Sequence, residues 1–162
     1  MYTNKPTSLR KFLPLIIIGS LVVILTIVVQ WLRGFSIHGA MTDFMGIFFL
    51  VFGGFKAINT KAFARAYREY DIITQRFPLW GYLYPFIELA LGIAFIMNWQ
   101  VKAMSLITLI LMAIGSIGVY KKLQKRETIQ CACLGALFNI PMTYVTLGED
   151  LLMAVMAGLM LF

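Results

Sequence analysis

The sequence predicts an all-α integral membrane protein built from about five transmembrane helices. Three observations predict it. The chain is 60% hydrophobic and 13% charged, against about half apolar and a quarter charged for soluble domains. Its apolar residues fall in five long runs, covering 13–31, 41–58, 79–99, 101–120 and 143–162. Its basic residues sort by loop. The first run has no ionisable residue in 19, enough for a helix to cross a hydrocarbon core of about 30 Å. Lipid offers the backbone no hydrogen bonds, so a span is a helix or a closed barrel strand. Runs of this length without two-residue alternation exclude the barrel.

Taken in order, residues 1–12 read as a cytoplasmic tail and 13–32 as an N-terminal transmembrane anchor. Its apolar stretch exceeds a signal-peptide core, and Gln30-Trp31-Leu32-Arg33 offers no small-residue cleavage site. With the N-terminus inside, Lys5, Arg10, Lys11, Lys56, Lys61, Arg65, Arg68, Arg76, Lys121, Lys122, Lys125 and Arg126 all lie on the cytoplasmic side. Only Arg33 and Lys102 lie outside, the asymmetry of the positive-inside rule. This also accounts for the net charge of +7 without nucleic acid as a partner. The lipid bilayer is the partner the composition demands, and the bacterial inner membrane is the expected location. Trp31, Trp80 and Trp99 fall at span ends as interfacial anchors.

Residues 60–77 form the one long polar stretch and read as an interfacial amphipathic helix. Phe63, Tyr67, Tyr70 and Phe77 share one stripe, with Lys61, Arg65, Arg68, Glu69 and Arg76 opposite. The expectation is a helix capped by Thr60, its aromatic face in the lipid headgroups. Small residues mark helix-packing faces: Gly81, Tyr84, Glu88 and Gly92 on one span, Asp43, Gly46, Leu50 and Gly54 on another, Thr108, Gly115 and Gly118 on a third. Asp43 and Lys56 bracket their span and are expected at its interfaces. His38 is the sole histidine, and no phosphate-cradling loop, catalytic triad or haem or zinc set is present.

Chemistry concentrates at Cys131-Ala132-Cys133, which holds both cysteines of the chain. In an extended segment both sulfurs face the same way and can grip one soft ion; in a helix they diverge. The pair therefore suits soft-metal thiolates or labile redox exchange, and the basic neighbours Lys125 and Arg126 favour free thiolates. The implied cofactor is at most a soft metal ion of copper or mercury type, since zinc wants four ligands. Intramembrane acids are the second signal: Glu88, Glu149 and Asp150 are expected to compensate charge or handle protons. Met153, Met156 and Met160 continue one helical face from Glu149. That face is a possible soft-metal track, although methionine stripes are more often packing.

Residues 41–162 resemble the MauE/DoxX family of redox-associated membrane proteins, in the branch often found with heavy-metal-associated domains. The resemblance rests on Phe48-Phe49-Leu50-Val51-Phe52 with Lys56, Tyr70-Asp71-Ile72-Ile73 and Phe77-Pro78-Leu79-Trp80-Gly81-Tyr82. It continues through Tyr84-Pro85-Phe86-Ile87-Glu88-Leu89-Ala90-Leu91-Gly92 and Ile129-Gln130-Cys131-Ala132-Cys133-Leu134-Gly135, with Pro141-Met142, Val145-Thr146 and Glu149-Asp150-Leu151-Leu152-Met153. It implies a DoxX-like four-helix transmembrane bundle, to which the first span is an addition. It also implies an accessory role of the methylamine-utilisation type, in maturing a disulfide-rich dehydrogenase subunit; the acids and thiols themselves form no complete catalytic set. A thioredoxin-like protein is the partner in that reading. Relatives in this branch carry a metal-binding domain with its own cysteine pair. The alternatives are therefore a small heavy-metal transporter fed by such a carrier, and a structural membrane subunit.

Overall fold

The protein is described here from a computed structural model, over residues 12–125, 131–134 and 144–162. Among them every regular element is an α-helix: α1 (Leu13–Arg33), α2 (Ile37–Ile58), α3 (Thr60–Arg68), α4 (Ile72–Arg76), α5 (Pro78–Ile96), α6 (Val101–Gln124) and α7 (Tyr144–Leu159). Helices α1, α2, α5 and α6 are each long and apolar enough to cross a membrane. The 16 residues of α7 cover about 24 Å at 1.5 Å per residue, the shortest of the five apolar helices. The all-α membrane architecture is as the hydropathy predicts. The tail expected at residues 1–12 lies outside the described residues except for Phe12, which precedes α1.

The helix ends follow local chemistry. Gly34, at φ 90°, closes α1, and the Ser36 side chain accepts from Gly39 N–H to open α2. Proline enters α5 at its first position, where no backbone N–H is required. Asn98 and Gln100 take left-handed conformations (φ 53° and 46°), which fold α6 back beside α5 through a short turn.

Helices α2 and α5 form the tightest pair. A β-carbon on Gly92 would stand 3.0 Å from the Gly46 carbonyl oxygen, and one on Gly53 would stand 3.2 Å from Glu88 Cβ. Of the α2 face drawn from sequence, Gly46 meets α5, while Gly54 has nothing near it and Gly53 makes the second contact. Helix α6 pairs with α7, and α1 packs on α2 through Leu15 and Val22 against Ile47 and Phe52. Near the start of α2, Asp43 is not interfacial. It is 2% exposed, accepting from Gln30 Nε2 at 2.8 Å and Arg33 Nη1 at 2.9 Å.

The stretch 60–77 departs from expectation in two ways. It is two helices, because the Asp71 carboxylate accepts from both the N–H and the hydroxyl of Thr74 at 2.7 Å and caps a new start. The cap of α3 is Asn59, which accepts from Ala62 N–H, rather than Thr60. More importantly, its aromatic stripe faces protein. Phe63 and Tyr67 are buried against Tyr84 of α5 and Tyr70 against Tyr67, and only Phe77 of the four stays exposed. The gap at Gly81 explains this: Ala64 and Thr74 come so close that a β-carbon there would meet Thr74 Cγ2 at 2.8 Å. Docked on α5, the stripe roofs the bundle.

Candidate functional site

Beneath this aromatic roof lies a buried charge cluster. Lys56, one turn from the end of α2, points inward; its Nζ donates to both Glu88 oxygens, at 2.6 and 2.8 Å. Glu88 is 1% exposed and Lys56 9%, so the lysine expected at an interface is instead the partner of the intramembrane acid. The ammonium also lies 5.3 Å from the Tyr84 ring centre and 5.6 Å from that of Phe63, close enough for cation–π attraction. The sequence holds a signal for this: a lone lysine and a lone glutamate on adjacent apolar spans have strong reason to pair.

Asp150 and Glu149 of α7 reach the same small cavity, of about 40 Å³, where Lys56, Glu88, Tyr84 and Cys133 also meet. That volume admits a water molecule. Asp150 fits there because Gly115 of α6 has no side chain; its would-be β-carbon stands 3.6 Å from Asp150 Oδ2. One ammonium thus faces three carboxyl groups. The roof contributes hydroxyls. Burial pushes the Tyr67 and Tyr70 phenols well above the ordinary tyrosine value, with nearby Tyr84 adding to the first and Asp150 to the second.

Ala132 and Cys133, of the segment Cys131-Ala132-Cys133, form a further wall. That segment is non-helical, as the soft-ion argument requires, with the cysteine Cα atoms 5.5 Å apart. The sulfurs, however, are joined as a disulfide, where free thiolates are the sequence expectation. The surroundings supply the reason. Cys131 is 2% exposed and belongs to an apolar cluster with Ile47, Phe52 and Leu134, shielded from solvent-borne reductants. Thr146, in the first turn of α7, donates its hydroxyl to Cys131 Sγ at 3.5 Å and lies 3.8 Å from Cys133 Sγ. Cys133 N–H also donates to Cys131 Sγ, at 3.2 Å. Nothing in composition or spacing singles out Thr146.

Met153 and Met160 are packed into the core at 1% exposure, and Met156 half-buried against it. The structure therefore brings Glu88, Glu149, Asp150 and the cysteines together and gives Met153 and Met160 to packing. Among the described residues no three side chains of histidine, cysteine, aspartate or glutamate are grouped so that they could hold one metal ion.

Residues 36–162 match the family model described as methylamine utilisation protein MauE. The chain belongs to the MauE family. The match takes in α2 through α7 and leaves α1 outside. As a MauE-family protein it is a multi-pass membrane protein of the methylamine-utilisation type. No curated protein and no solved structure matches it.

Proposed function

We propose that this MauE-family protein is an accessory factor of the bacterial inner membrane whose Cys131–Cys133 disulfide exchanges with a protein dithiol, in the maturation of a disulfide-containing client of methylamine utilisation. The observation that carries the reading is the placement of Cys133, bonded to Cys131, at a cavity shared with Lys56, Glu88, Glu149 and Asp150. Disulfide exchange needs a sulfur electrophile and groups that hold negative charge and protons, and this wall and its cavity supply both. A thioredoxin-like protein is a natural class of partner, because its paired thiols present the required dithiol.

The rival soft-metal transporter has less support. Sulfurs bonded to each other bind no copper- or mercury-type ion, and two of the three methionines of its track are core packing. The test is growth and trapping. In a host that needs this chain to grow on methylamine, Cys131→Ser/Cys133→Ser is expected to abolish growth with the membrane level unchanged. A single Cys131→Ser variant is expected to accumulate a partner adduct, cleaved by dithiothreitol on denaturing gels. Normal growth of the double variant would return the cysteines to packing. Metal-dependent growth without any adduct would favour transport.

A further inference from the structure

We infer that the two sulfurs have fixed and unequal roles: Cys133 Sγ is the atom that a partner thiolate attacks, and Cys131 Sγ is the leaving group, held by the Thr146 hydroxyl. This rests on the exchange reading above and adds its direction.

Access is the first argument. Cys131 is 2% exposed, whereas Cys133 keeps partial exposure and stands on the cavity wall. A thiolate must approach in line with the bond it breaks, and a buried sulfur gives it no path. The second argument is charge. Attack on Cys133 Sγ forms a new sulfur–sulfur bond, breaks Cys131–Cys133 and leaves the electron pair on Cys131 Sγ. Two donors already point at that atom, Thr146 Oγ1 at 3.5 Å and Cys133 N–H at 3.2 Å, and both strengthen when the acceptor gains charge. Thr146 is the third residue of α7, so the developing thiolate also sits at the positive end of that helix. Attack in the opposite sense would leave the charge on Cys133 Sγ, which the same hydroxyl approaches only to 3.8 Å.

The step then completes without any further reagent. The partner's second thiol, deprotonated, attacks its own sulfur in the mixed disulfide and expels Cys133 as a thiolate. Two electrons pass from the partner dithiol to the Cys131–Cys133 pair. The two protons lost by the partner end on the two cysteines. Among the described residues, the charged and titratable groups at the cavity that Cys133 lines are Lys56 from α2, Tyr67 and Tyr70 from the roof, Tyr84 and Glu88 from α5, and Glu149 and Asp150 from α7.

The test uses the full chain in lipid nanodiscs with glutathione as the thiol probe. After partial reaction and acid quenching, peptide mass spectrometry locates the glutathione, expected on Cys133 at least about tenfold over Cys131. An even split, or a majority on Cys131, would overturn the assignment. Thr146→Val is expected to slow opening roughly three- to tenfold, as loss of one hydrogen bond implies, and Thr146→Ser to restore most of the rate. In Cys133→Ser, the pH midpoint for alkylation of Cys131 is expected to rise when Thr146→Val is added. An unmoved midpoint would remove Thr146 from the assignment. If Thr146→Val fails to fold, the adduct site in the parent still decides the polarity. An intact disulfide with glutathione on neither sulfur would sink polarity and exchange together. Adducts on Cys133 in nanodiscs, with no partner captured in cells, would uphold the polarity and sink the maturation role alone.

Discussion

Lys56 and Glu88, 32 residues apart, meet inside the bundle with the ammonium within 2.8 Å of both carboxylate oxygens. The contact exists because α2 and α5 lie almost backbone to backbone at Gly53, three residues before Lys56, where a β-carbon would crowd Glu88. A small residue thus sets the helix spacing, and the spacing sets the ion pair. The pair fixes the register of the two helices and places an ammonium beside the acids of α7.

Removing one member is predicted to cost far more than removing both. A lone buried charge loses about 3–5 kcal/mol, whereas an apolar replacement of the whole pair is often neutral. Glu88→Leu and Lys56→Met should each lower the melting temperature of the purified protein markedly, and Lys56→Met/Glu88→Leu should recover most of the loss. Glu88→Gln, which keeps a hydrogen-bonding group, should fall between. A Glu88→Leu variant as stable as its parent would show that the pair holds nothing together.

Glycine substitutions on two helices should separate in the same assay. A β-carbon on Gly118 would lie 2.5 Å from the Tyr70 carbonyl oxygen, whereas one on Gly54 meets nothing within 4 Å. Gly118→Ala must push the roof away from α6 and is predicted to cost roughly 1–3 kcal/mol, as overpacking does. Gly54→Ala should be neutral or slightly stabilising, because alanine is the better helix former. Equal effects at the two positions would count against the close approach of α6 to Tyr70.

Much of this was legible in the sequence, and the exceptions share a cause. Hydropathy located the spans, and small-residue periodicity turned Glu88, Gly92, Thr108 and Gly115 inward, because lipid imposes both patterns on single helices. Lys56 was misread because a charge near a span end ordinarily snorkels to the interface, and only the position of Glu88 on another helix says otherwise. The roof was misplaced for a similar reason. An amphipathic stripe reports that one side is apolar, and whether lipid or Tyr84 covers it is decided by the Gly81 contact. Thr146 acts through a sulfur 15 residues away, and no local period encodes that.

The roof tyrosines give a prediction in alkali. Burial raises the Tyr67 and Tyr70 phenols above the ordinary value, near 10 in model peptides. The unfolded chain would then ionise them before the folded one does. Their contribution to stability is therefore complete below about pH 10 and is lost as pH rises toward the folded values. Ultraviolet titration of the folded protein should leave the Tyr67 and Tyr70 phenols protonated after the exposed tyrosines have ionised, and Tyr67→Phe/Tyr70→Phe should lower the late-titrating amplitude by two tyrosines. Simple titration of every tyrosine near pH 10 would mean that the roof is open to solvent.

Orientation is the last prediction, and it bears on how the disulfide opens. With Lys56 consumed by Glu88, eleven basic residues remain on the expected cytoplasmic side: Lys5, Arg10, Lys11, Lys61, Arg65, Arg68, Arg76, Lys121, Lys122, Lys125 and Arg126. Of the two outside, Arg33 is paired with Asp43, so the asymmetry persists and predicts a cytoplasmic N-terminus. A reporter fused after Phe162 should then be active only outside, and Lys125→Cys should label from the cytoplasmic side alone. That orientation puts Cys131–Cys133 near a compartment that keeps thiols reduced. Only the partly exposed Cys133 sulfur is open to attack there, because Cys131 is 2% exposed within its apolar cluster. In native membranes at millimolar glutathione, opening should proceed through attack at Cys133, and more slowly than after denaturation, when both sulfurs can be reached. A cytoplasmic reporter at Phe162 would mean that α7, with only 16 helical residues, does not cross. Opening as fast in the intact protein as in the denatured one would mean that burial gives Cys131 no protection.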